Sequence, residues 1–181
     1  MHIMRVEFAE LQLPRFVSSD SDPRVLAVLA LYNTPLFKED RYPGPPSQGI
    51  NTRLINDFVI DRRRAFVARD EDGLACAVAC YDSNYRLSKT ALLARLIVAK
   101  NMHGRGVGAF MIDNLADVTR QQGLEALRVR SLKDVIGFYA TLGFVADETI
   151  PEISDLPYMS LDVRGRVPVV PVCELRQKTM L

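Results

Sequence analysis

Val98-Ala99-Lys100-Asn101-Met102-His103-Gly104-Arg105-Gly106-Val107-Gly108-Ala109-Phe110-Met111-Ile112 is the stretch whose reading decides the fold. It joins an apolar run, Ala91 to Val98, to an amphipathic segment that starts at Val107. Three glycines at alternate positions, Gly104, Gly106 and Gly108, stand where that helix should open. Glycine lets a ligand approach the backbone closely, and the first N–H groups of a helix have no partner inside it. Those groups and the positive end of the helix dipole favour an anion. A phosphate-bearing cofactor at residues 103–108 is therefore expected.

Spacing separates the loop types that could look like this. A Walker A loop needs Gly-Lys-Ser/Thr after its glycines, and this chain has Gly108-Ala109-Phe110. A dinucleotide loop, G-x-G-x-x-G/A, matches Gly104, Gly106 and Ala109 letter by letter. It should follow its strand almost directly and be answered by an acidic residue about 20 positions on. Here the loop sits several residues beyond Val98, and the next apolar run ends in Arg130-Ser131.

The chain has 181 residues, enough for one well-buried core. A 48% apolar and 25% charged composition makes it globular rather than disordered. A formal net charge of +1 argues neither for nor against a particular partner and weakens any claim of broad nucleic-acid binding. No apolar run approaches the ~18–20 residues of a membrane span. Met1-His2-Ile3-Met4-Arg5 lacks the apolar core of a signal peptide. A cytoplasmic protein without membrane contact is expected. Cys76 and Cys80 fall in one predicted strand, about 13 Å apart along it, too far for a disulfide. Together with Cys173 and two histidines they lack the spacing of a zinc site, so no metal is expected.

Taken in order, Met4 to Leu13 alternates as a strand. Asp22 and Pro23 suit a helix start, and Val25, Leu26, Leu29 and Tyr32 give that helix an apolar face. Asn33 to Gln48, with Pro35, Pro43, Pro45 and Pro46, reads as a long functional loop. Asn51 to Asp61 returns to helical spacing and ends in Arg62-Arg63-Arg64, a solvated helix end. Ala65–Arg69 and Leu74–Tyr81, joined by Asp70-Glu71-Asp72-Gly73, predict a hairpin. Ala91–Val98, apolar except for Arg95, predicts a central strand. Val107, Phe110, Met111, Leu115 and Val118 form the stripe of the next helix, closed by Gly123. Strands follow at Ala126–Arg130, Phe144–Ala146 and Pro157–Val163, with a short helix through Val135, Phe138, Tyr139 and Leu142 after the first of them. Residues 1–163 are read as one domain. The tail, 164–181, carries Pro168 and Pro171, which bar a central strand. It is expected to lie extended against the domain or against a second copy in a homodimer.

The loop His103-Gly104-Arg105-Gly106-Val107-Gly108 resembles R/Q-x-x-G-x-G/A, the pyrophosphate loop of the GNAT N-acetyltransferase superfamily, which holds coenzyme A. His103 stands where that pattern has Arg or Gln. Phe138-Tyr139-Ala140-Thr141-Leu142-Gly143-Phe144 resembles the family's F/L-Y-x-x-x-G-F, one strand further on. Similarity in residues spans about 91–146; the first half matches in its order of elements. The resemblance implies an α/β fold, the GNAT acyl-CoA N-acyltransferase fold, with a mixed central sheet of about seven strands and about four helices.

It also implies a site. Residues 103–108, including Val107, would hold the pyrophosphate of acetyl-CoA. The backbone of Leu96, Ile97 and Val98 would hold the pantetheine arm and polarise the thioester carbonyl. Tyr139 would be the acid for the departing thiolate, since a phenol of pKa near 10 can donate to a thiolate whose acid has pKa near 8.5. Ser131 lies near the place where many relatives carry a cofactor-contacting Asn. Many relatives carry a Glu near the strand at 91–98 as general base. This chain has Arg95 and Lys100-Asn101 there, which leaves Glu7, Glu10, Asp82, a water chain or an acceptor amine of low pKa.

The expected function is acetyl transfer from acetyl-CoA to a primary amine. Two alternatives stay open. In one, a toxin-type GNAT acetylates the amino group of aminoacyl-tRNA, which the stretch Ala94–Val98 with its loop resembles; only then would nucleic acid be a partner. In the other, a silent GNAT fold binds acyl-CoA without turnover.

Overall fold

The computed structural model of the chain describes residues 3–11, 63–83, 89–149, 156–170 and 172–176. Strands β1 (Ile3–Leu11), β2 (Arg64–Arg69), β3 (Ala75–Asp82), β4 (Thr90–Val98), β5 (Ala126–Arg130), β6 (Val145–Ala146), β7 (Tyr158–Asp162) and β8 (Val172–Arg176) form one sheet. Its order is β6-β7-β5-β4-β3-β2-β1-β8. Among the described residues, β4 and β5 pair in parallel and the other neighbours are antiparallel. Helix α1 (Val107–Gln121) connects β4 to β5, and helix α2 (Ile136–Thr141) follows β5. The helices expected from Pro23 and over Asn51–Asp61, and the proline loop 33–48, lie outside the described residues. Among the described residues no helix is long and apolar enough to cross a membrane.

Local chemistry accounts for the elements. The β2–β3 hairpin turns where Asp70 Oδ1 accepts the amides of Asp72 and Leu74, with Gly73 at φ +76°. Such a turn needs a short acceptor side chain and a residue tolerant of the left-handed region. Val107, Phe110, Met111 and Leu115 of α1 are buried. They join Ala91, Leu93, Leu127 and Val129 of the sheet in one core cluster. The helix ends in a Schellman motif: Gly123 N donates to Arg120 O at 3.0 Å and Leu124 N to Thr119 O at 3.2 Å. Cys76 and Cys80 are buried, and Cys76 Sγ donates to the Ala68 carbonyl oxygen at 3.3 Å.

Among the described residues the sheet is mixed and has eight strands, in keeping with the expected seven or so. The added one, β8, comes from the tail and pairs with β1 from Ile3↔Arg176 to Glu7↔Val172. It is an edge strand, the position in a sheet that tolerates proline. The chain reaches that edge from β7, near the other edge, in the nine residues 163–171. Six strand spacings of about 4.8 Å make roughly 29 Å, against roughly 35 Å for the segment at full stretch. The strap begins with a turn, where Arg166 N donates to Val163 O at 3.3 Å, which leaves little chain to spare over that span. Arg166 ties it down: Nη1 donates to Asp113 Oδ1 of α1 at 2.9 Å and Nη2 to the Leu142 carbonyl at 3.4 Å.

Candidate active site

A gap opens between β4 and β5. The two strands pair only from Thr90↔Ala126 to Leu93↔Val129, while β4 stays paired with β3 as far as Ala77↔Val98. Among the described residues, β5 does not pair with β4 beyond Leu93. The cause is visible in the register: Tyr81 opposes Leu93 and Cys80 opposes Arg95, which leaves Ala94 as an extra residue. A bulge bends its strand away from a neighbour. No glycine or proline marks this one in the sequence, and periodicity alone did not reveal it. Parallel strands that part at their C-terminal ends make the crevice where open α/β sheets bind ligands.

The glycine loop sits at the mouth of this gap. A 3₁₀ turn, Lys100–Met102, follows β4. Gly104 and Gly106 have φ +71° and +88°, conformations that favour glycine. Gly106 caps α1 without a side-chain hydrogen bond, and no acidic residue occupies the first turn. The first helical bond is Phe110 N to Gly106 O at 2.9 Å. The amides of Val107, Gly108 and Ala109 precede it and have no helical acceptor.

Gly108 has a different reason to be glycine. A Cβ there would meet Phe138 Cζ at 3.0 Å and Val98 Cγ2 at 3.7 Å. The missing side chain thus lets α2 close on the start of α1 and the end of β4. Gly108→Val is expected to force the ring aside and to destabilise the fold by ~1–3 kcal/mol; a denaturant midpoint equal to that of the parent would refute this packing.

His103 is exposed. Its Nε2 lies 2.9 Å from the Val98 carbonyl oxygen. A carbonyl only accepts, so Nε2 carries the proton of this bond, and the ring is fixed to the end of β4. Leu96 and Val98 pack against the core from partly buried positions, and Ile97 is buried.

Tyr139, on α2, is only 7% exposed. Its ring lies edge-on to Phe138 at 5.2 Å and to Phe144 at 5.3 Å. Burial pushes its phenol up to about 12, because the ionised form loses water without gaining a counter-charge. Ser131, after β5, is buried. Its amide donates to Pro157 O at 2.9 Å and its hydroxyl to Leu132 O at 3.0 Å.

The candidate bases are spread across the sheet. Glu10 of β1 holds Arg64 through both oxygens, at 2.7 and 2.5 Å. Glu7 is exposed on the same strand. Asp82 stands on β3, next to the strand that lines the gap, with Arg63 Nε 3.9 Å away.

Residues 61–146 match the family model of the acetyltransferase (GNAT) domain. Similar solved structures include an N-acetyltransferase from Staphylococcus aureus Mu50, 16% identical, with TM-score 0.63 over 87% of this chain and 98% of that one. A GCN5-related N-acetyltransferase from Kribbella flavida is 18% identical, with TM-score 0.64 over 87% and 97%. Tetrahymena GCN5 is 21% identical, with TM-score 0.60 over 83% and 95%. At these identities the likeness is one of fold. No curated protein sequence matches the chain. The domain match over residues 61–146, the parted β4–β5 pair and the glycine loop at its mouth agree on the fold: the chain has the fold of the GNAT acetyltransferases, and its residues 61–146 are similar to that family's domain.

Proposed function

We propose that the chain is an N-acetyltransferase that moves the acetyl group of acetyl-CoA to a primary amine. The observation that supports this best is the glycine loop at the mouth of the β4–β5 gap, with Tyr139 on the neighbouring helix. The amides of Val107, Gly108 and Ala109, with the loop glycines, offer donors to a pyrophosphate. The end of β4 beyond Leu93, where β5 has parted from it, offers a pantetheine arm backbone groups of the kind a neighbouring strand would use.

The chemistry follows from that placement. The amine nitrogen bonds to the thioester carbon, the C–S bond breaks, the amine releases one proton and the thiolate takes one up. A phenol pushed up to about 12 is too weak an acid to transfer its proton fully to a thiolate of pKa near 8.5. Tyr139 instead donates a hydrogen bond to the sulfur as negative charge develops there. It stays protonated across the physiological range.

Calorimetry with acetyl-CoA, and release of free coenzyme A thiol across a panel of primary amines, test the reading. Binding together with amine-dependent thiol release is expected. A protein that neither binds acetyl-CoA nor releases thiol would sink it.

A further inference from the structure

The loop, Phe138 and Tyr139 lie with α1 and α2, so a thioester entering the gap comes from that face of the sheet. A nucleophile approaches the carbonyl carbon from the other face. One cross-strand row there sits just behind the point where the strands part. Asp82 of β3 opposes Leu92 of β4, and Leu92 opposes Arg128 of β5. The neighbouring residues Tyr81, Leu93, Leu127 and Val129 belong to the core cluster with α1. Side chains alternate along a strand, so Asp82, Leu92 and Arg128 point the other way.

Arg128 is unusual on this face. It is 6% exposed. Its Nη2 pairs with Asp147 Oδ2, with Thr149 Oγ1 at 3.4 Å. Nε and Nη1 are buried and have no hydrogen-bond partner among the described residues. Asp147 offsets the charge and leaves those donors unmatched. Buried polar groups are nearly always paired, and an exception asks for a reason.

We propose that Arg128 determines acceptor specificity. Its Nε–H and Nη1–H groups turn to a carboxylate or carbonyl oxygen of the acceptor while Nη2 keeps Asp147, and Asp82, across Leu92, faces the acceptor's amine. The acceptor class is then an amine that carries such an oxygen, an amino acid or aminoacyl compound, rather than a polyamine or alkylamine. This rests on the acetyltransferase reading above.

The test compares matched acceptors: phenylalanine, phenylalaninamide and phenethylamine; leucine, leucinamide and isoamylamine; lysine, lysinamide and cadaverine. With wild-type protein, kcat/KM is expected to be at least tenfold higher for the oxygen-bearing members of a set. The amides separate a carbonyl requirement from a carboxylate one. Arg128→Gln is expected to narrow that ratio at least tenfold, through KM, and Arg128→Lys to restore part of it. Equal or faster turnover of the oxygen-free amines by wild type overturns the proposal, whether or not the variants fold. So does turnover of no member of any set by protein that binds acetyl-CoA, or an unchanged ratio in folded Arg128→Gln. Failure to bind acetyl-CoA at all would instead defeat the acetyltransferase reading.

Discussion

Gly106→Glu should reduce acetyl-CoA binding below detection by calorimetry. Two effects act together. Gly106 has φ +88° as the cap of α1, and a residue with a Cβ there costs about 1–2 kcal/mol of backbone strain. The added carboxylate would also stand at the helix start, where the phosphates are proposed to bind. Losing one hydrogen bond to a charged group costs roughly 1.5–3 kcal/mol. Losing two or three raises the dissociation constant by several orders of magnitude, at about 1.4 kcal/mol per tenfold. Gly106→Gln carries the strain and the bulk without the charge, so the difference between the two variants isolates the electrostatic part. Undiminished affinity in a folded Gly106→Glu protein would mean that the pyrophosphate binds elsewhere.

Tyr139→Phe should lower kcat by roughly 10²–10³-fold, the usual cost of removing one hydrogen-bond donor aimed at developing charge. The KM for acetyl-CoA should move little. Phenylalanine fills the same space between Phe138 and Phe144, so the protein should fold. The hydroxyl has a second signature. Its pKa is raised in the folded state, to about 12 from the ordinary 10. The stability that this group contributes is therefore complete below pH 10 and is lost as pH rises from 10 to about 12. Over that window the melting temperature of wild type should fall further than that of the variant. Full activity in Tyr139→Phe would remove the residue from the chemistry, and parallel melting curves would show that burial does not perturb the phenol.

Legibility in the sequence followed the range of the interactions. The hairpin, α1 and the glycine loop rest on contacts within a few residues, through Asp70, the Val107–Leu115 stripe and Gly123, and each was readable from spacing. The bulge at Ala94 was not readable, because it depends on how β3 and β4 register against each other and no local residue announces it. Gly108 was read as ligand space, yet its fit to Phe138 joins residues 30 positions apart. The Arg128–Asp147 pair is likewise a tertiary event between β5 and the chain just after β6. The tail's prolines correctly excluded a central strand, but they gave no sign that five residues beyond them would pair with β1.

The strap has a kinetic consequence. β8 pairs with residues at the far end of the sequence, Val172 with Glu7, and the segment leading to it has little slack. It cannot find β1 until β7, α1 and the rest of the sheet are in their final places. Closing so long a loop gains nothing until the last hydrogen bonds form, so contacts of this separation form late. In native protein the same bonds should open first and as a unit, because β8 is the edge strand of the sheet. The amides that join β8 to β1 would then exchange with solvent faster than those that join β3 to β4, and a peptide matching residues 164–176 could trap the opened edge.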